Sequence, residues 1–221
     1  MAVIADNSTS WIKNSATSFS ESYTVGASGK YIKVDISVES NLTIAITYNG
    51  VTVPLLVKDN VSAIYCYTFG LLSPATGANT LSITWGGGSF DFSIGVSSWN
   101  GVGSERTIAS NNSSGSPATV TPTSSSGDML VDSFFYYSNR KPVTANGAQT
   151  VLFQDIENNQ GDNIGSSYRT SAGNSQLSWT TNDGGGYILC GLPLVPAATD
   201  VYGWDYPSPN PIFQRPEVVG Y

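Results

Sequence analysis

Tyr31-Ile32-Lys33-Val34-Asp35-Ile36-Ser37-Val38-Glu39 alternates apolar and polar residues without a break. Side chains along a β-strand point to opposite faces with a period of two. Ile32, Val34, Ile36 and Val38 therefore share one face, and Lys33, Asp35, Ser37 and Glu39 share the other. The pattern predicts a strand with one face on a core and one in water.

The same period continues outward. Leu42, Ile44, Ile46 and Tyr48 alternate with Thr43, Ala45 and Thr47 up to Asn49-Gly50. Both turn positions tolerate positive φ, so a two-residue hairpin is expected, with 51–57 as the returning strand. Pro54 has no amide to donate and predicts an edge or a bulge there. Leu81, Ile83 and Trp85 alternate before Gly86-Gly87-Gly88, and Phe90, Phe92, Ile94 and Val96 alternate before Asn100-Gly101. Further strands are expected at 63–69, 128–138, 150–154, 166–170 and 176–180. Residues 187–195 are apolar throughout, which suits a central strand covered on both faces. No segment sustains a capped helical period. About eleven strands at this spacing predict one all-β antiparallel β-sandwich, jelly-roll-like, over residues 1–196. The Ser- and Asn-rich stretch 107–127 reads as a long surface loop with a short strand near Thr119-Val120-Thr121, and no clear internal repeat is visible.

Composition narrows the function. The chain has 221 residues, 40% hydrophobic and only 11% charged, with a formal net charge of -7. Ser, Thr, Asn and Gly replace the missing charge, a balance common in secreted and virion β proteins. The acidity and scattered basic residues argue against nucleic acid as a partner. No apolar run approaches the roughly 20 residues of a membrane span. The opening residues lack the basic and apolar regions of a secretory signal, so synthesis and retention in the cytoplasm until assembly or lysis is the expectation. Cys66 and Cys190 each lie in an apolar run and read as two buried free thiols.

Chemistry-bearing patterns are scarce. There is no histidine, which removes His-based triads and His-containing zinc sites. The two Gly triplets have no following helix and do not read as phosphate loops. No pair among the 16 acids stands out as a glycosidase pair. Asp155 to Asn163 places oxygen ligands at alternate positions, but Gln160 stands where an EF-hand needs Gly, and a solvated loop is the preferred reading. Trp99, Tyr136, Tyr137 and Tyr168 are candidates for sugar stacking or for core anchors. No catalytic residue, metal site or cofactor is expected.

The alternation stops at Ala197. Residues 197–221 carry prolines at 207, 209, 211 and 216 together with Tyr202, Trp204, Tyr206, Phe213 and Tyr221. Prolines favour an extended chain, and aromatics are unusual in a disordered tail. These five aromatics are expected to anchor a docking tail on a neighbour.

Several stretches share one pattern: residues 18–38, Thr47-Tyr48-Asn49-Gly50-Val51-Thr52-Val53-Pro54, residues 71–85, residues 94–102 and Gly127-Asp128-Met129-Leu130-Val131-Asp132. Over about residues 15–196 the chain resembles a jelly-roll-like β-sandwich module that recurs in tailed-phage virion proteins and bacterial surface proteins. The resemblance implies a fold and a structural role and carries no catalytic residues. With the tail it leads to an expected function. The chain would be a non-enzymatic capsid decoration (cement) protein on the virion surface, forming homo-oligomers and binding capsid or tail structural proteins. The alternative is a carbohydrate-binding β-sandwich module for host or surface attachment.

Overall fold

The structure is a computed structural model that describes residues 1–137, 143–155, 162–181 and 185–198. The described residues are all-β, in antiparallel sheets with no helix.

Residues 1–100 build two sheets. The inner one has the order β1 (Ile4–Ala16), β9 (Phe90–Asn100), β3 (Gly29–Val38), β7 (Ile64–Leu72), β6 (Leu55–Val61). The outer one runs β2 (Ser18–Val25), β8 (Gly77–Trp85), β4 (Ile44–Tyr48), β5 (Val51–Thr52). Consecutive strands mostly alternate between the two sheets, as in a jelly roll. Asn49 and Gly50 take φ of 50° and 74° and close the β4–β5 hairpin with Tyr48 opposite Val51. Pro54 lies where the returning chain leaves the outer sheet and joins the inner one as β6, so its missing donor interrupts no ladder.

Residues 102–196 repeat this order. Their inner sheet runs β10 (Val102–Glu105), β18 (Gly186–Pro196), β13 (Ser126–Tyr137), β16 (Asp162–Ala172), β15 (Thr150–Asp155). Strand β11 (Ala109–Ser114) continues the line of β10 along β18. The outer sheet is β12 (Ala118–Val120), β17 (Leu177–Thr180), β14 (Thr144–Ala145). With β10 and β11 taken together as the counterpart of β1, each strand of the second half has its equivalent in the first. The turn between the halves is Gly101, and the 107–127 stretch, expected as a surface loop with one short strand, holds two strands, β11 and β12, with their connections.

The inner sheets face each other, giving four layers and three buried interfaces. Strand β1 lies beside β15, and β6 lies beside β18 and β11. In the first half Ile32, Val34, Ile36 and Val38 pack with Phe19, Ile46, Tyr48, Ile83 and Phe92. In the second, Leu130, Phe134 and Tyr136 pack with Leu177, Trp179 and Leu189. Each such side chain contributes about 1.5–3 kcal/mol on burial. The middle interface, the seam, has two apolar patches. One joins Tyr31 and Trp99 to Val131 and Leu192; the other joins Cys66 to Phe135, Phe153 and Cys190. Gly95 on β9 admits the Phe153 ring, because a Cβ there would lie 2.2 Å from it.

This arrangement corrects the expectation for residues 31–39. Lys33 and Ser37 are 0% exposed and Asp35 is 1% exposed, so the polar face of β3 is covered by the second half. Only Glu39, past the strand end, stays exposed.

Candidate functional site

The polar side chains of β3 meet those of β7 and β13 in the centre of the seam. Lys33 and Asp35 are two apart on one strand, so both point across it. The Lys33 ammonium pairs with the Asp35 carboxylate and donates to the Asp132 carbonyl at 3.0 Å. Asp35 Oδ1 accepts from Thr68 Oγ1 at 2.9 Å and from Ser133 Oγ at 2.6 Å. The Thr68 and Ser133 hydroxyls lie 3.1 Å apart. Thr68 is opposite Asp35 in the β3–β7 ladder, whereas Ser133 comes from the other half. Every charge in this cluster therefore has an opposite charge or a hydroxyl beside it, as burial requires.

Asp132 occupies the opposite face of β13, inside the second half. Its carboxylate accepts from Ser167 N at 2.5 Å, Ser167 Oγ at 2.6 Å, Trp179 Nε1 at 2.9 Å and Gln149 Nε2 at 3.1 Å. Burial pushes its carboxyl up to about 6, against the Ser167 and Trp179 bonds and the Lys33 charge, which pull it down. Residue 132 thus links both arrays, its side chain in the outer core and its carbonyl in the seam.

Neither array is open to a substrate. An open site lies elsewhere, where β10 gives way to β11. A cleft of about 580 Å³ is lined by Glu105, Arg106, Thr107, Ile108, Ala109, Thr121 and Thr123. Arg106 is held by Asp128 at 2.7 Å and by Ser125 Oγ at 3.1 Å. Burial raises the Glu105 carboxyl above its ordinary value, and Glu105 Oε2 has no hydrogen-bond partner. The cleft suits a polar ligand with hydroxyl or cationic donors. The sequence reading passed over these residues, because Arg106 and Glu105 belong to no motif. The cleft exists only where β10, β11 and residues 121–123 come together in the fold.

The sequence candidates fall as follows. Trp99 and Tyr136 are buried and Tyr168 is half-buried, so these three are packing residues; Tyr137 is exposed. Trp99 meets Tyr168 edge-on at 5.3 Å inside the seam. Cys66 and Cys190 are free and buried. Among the described residues no group of three or more His, Cys, Asp or Glu is placed to hold a metal. Most of the 155–163 loop, and the tail anchors Tyr202, Trp204, Tyr206, Phe213 and Tyr221, lie outside the described residues. Comparisons with family models, with curated proteins and with solved structures gave no match.

Proposed function

We propose that this chain is a non-enzymatic structural protein of a tailed-phage virion, a capsid decoration protein that docks on neighbouring subunits. The observation that carries the structural part is the seam. Lys33 and Asp35 are sealed in the seam and bonded to the Asp132 carbonyl and the Ser133 hydroxyl of the other half, where they register two sandwiches instead of meeting a substrate. Burying paired polar groups at one register penalises every other register, because slippage leaves them unpaired. The virion assignment rests on the resemblance of residues 15–196 to virion β-sandwich modules. Residues 197–221 are the proposed arm, since aromatics on a proline-stiffened chain bury large area at low entropy cost.

The test is cosedimentation of the purified chain with undecorated phage capsids, set beside a variant truncated after Ala198. The full chain is expected to sediment with capsids, and the truncated one to stay folded and in solution. A full chain that ignores both capsid and tail subunits overturns the proposal. The cleft favours a second reading, glycan binding through Glu105, Arg106 and the three threonines. Reproducible binding to one glycan class on an array, lost in Arg106→Ala, would establish it.

A further inference from the structure

The two cysteines of the chain, far apart in sequence, come together across the seam. Cys66 lies on β7 of the first half and Cys190 on β18 of the second, and both belong to one buried cluster. Their surroundings fix the facing. Cys66 and Thr68, two apart on β7, point the same way. Cys190 is the ladder partner of Ser133, whose hydroxyl lies 3.1 Å from that of Thr68. Cys190 Sγ donates to Ser110 Oγ at 3.5 Å, and the neighbouring Cys190 thiol adds to burial in raising the Cys66 thiol. Ser37 stands opposite Cys66 in the ladder, and Phe135, Phe153 and Ile188 complete the buried cluster around the pair.

We propose that Cys66 and Cys190 form a disulfide site that cross-links the two sandwiches and locks the seam. The oxidant is a low-molecular-weight disulfide such as oxidised glutathione. One cysteine, as thiolate, attacks the small disulfide and expels one thiol. The second cysteine displaces the other thiol from the mixed disulfide. One S–S bond of the reagent is broken, one protein S–S bond is made, and the two protein thiol protons end on the two released thiols. Both thiols are fully buried, and burial raises the Cys66 thiol well above its ordinary range. Exchange on the closed fold is therefore slow, and the bond forms during folding or while the halves are parted.

The experiment refolds the full chain in glutathione redox buffer and, in parallel, in excess reductant. Intact mass, thiol titration and peptide mapping read the bond, and thermal melting reads its effect. The expected oxidised product has lost two hydrogens, has no titratable thiol and yields a Cys66–Cys190 linked peptide. Its Tm should exceed that of the reduced chain by roughly 10 °C, because the bond closes a loop of more than about a hundred residues. Cys66→Ser and Cys190→Ser should each abolish the difference between the two buffers. Two free thiols or glutathione adducts after complete refolding would overturn the site. A linked product with unchanged or lower Tm would overturn the lock. The peptide map decides the site even where a serine variant folds poorly.

Discussion

The two faces of β3 solve the same problem by different chemistry. Toward the outer sheet Ile32, Val34, Ile36 and Val38 lie in a continuous apolar core. Toward the seam Tyr31, Lys33, Asp35 and Ser37 are equally buried but mostly polar. The apolar face supplies burial energy and tolerates repacking. The polar face supplies less net energy, because each charge loses its water, but it accepts one partner arrangement. The outer interfaces accordingly hold each sandwich together, and the seam fixes how one sandwich sits on the other.

The largest expected effect comes from breaking the seam pair. Asp35→Ala leaves the Lys33 ammonium buried with the Asp132 carbonyl and also strips Thr68 and Ser133 of their acceptor. A loss of about 3–5 kcal/mol in urea unfolding is expected, comparable to a large apolar truncation on the other face such as Ile36→Ala. Replacing both charges, Lys33→Met with Asp35→Leu, should recover most of that loss. A cost below about 1 kcal/mol for Asp35→Ala would mean that water reaches the seam.

Asp132 gives the next effect, and it depends on pH. Its folded value of about 6 lies above an unfolded value near 3.8. A raised carboxyl contributes stability that is complete below the unfolded value and is lost as pH rises through the folded one. The wild type should therefore lose about 3 kcal/mol relative to Asp132→Asn between pH 4 and pH 7. Chemical denaturation of both proteins across that range tests it. A flat difference would show that the four donors cancel the cost of burial.

These two groups also show what the sequence could and could not say. Alternation at 31–38 and the Asn49-Gly50 turn placed strands and a hairpin where the fold has them. The same alternation cannot distinguish a polar face meeting water from one meeting a second polar sheet, since Lys33 and Asp35 read alike in both. The duplicated strand order was illegible for a related reason. The outer strands β12, β14 and β17 have only 3, 2 and 4 residues, too few to show a period. Sequence likeness between the halves shrinks to a fragment: Leu81-Ser82 with Trp85 and Gly86-Gly87-Gly88 beside Leu177-Ser178-Trp179 and Gly184-Gly185-Gly186. Asn100-Gly101 looks like a hairpin turn, yet it leads from β9 into the other sandwich. The cleft depends on Glu105 and Thr121 meeting in space, which no spacing along the chain encodes.

Within the seam, hydroxyls separate groups that hold the register from groups that only fill space. Ser133 donates to Asp35 from the opposite half. Ser133→Ala should cost about 1–3 kcal/mol, the price of a hydrogen bond to a buried charge. A double-mutant cycle with Thr68→Val should show coupling, since both hydroxyls reach the same Asp35 oxygen and each other. Additive losses would mean that the two act independently and that the cluster is not one unit.

Ser37 is the smallest and sharpest case. It lies on the same strand face, two residues beyond Asp35, and is just as buried, but its Oγ has no hydrogen-bond partner. If seam polarity served stability directly, Ser37→Ala would destabilise as Ser133→Ala does. If polarity matters only where a partner answers it, removing an unpaired hydroxyl relieves a desolvation cost and leaves a void smaller than a methyl group. The expected change is within about 1 kcal/mol of zero, with the sign toward greater stability. Thermal melts of Ser37→Ala and Ser133→Ala in parallel read the contrast directly. A Ser37→Ala loss equal to that of Ser133→Ala would show that the unpaired hydroxyl is answered by a bridging water in the seam.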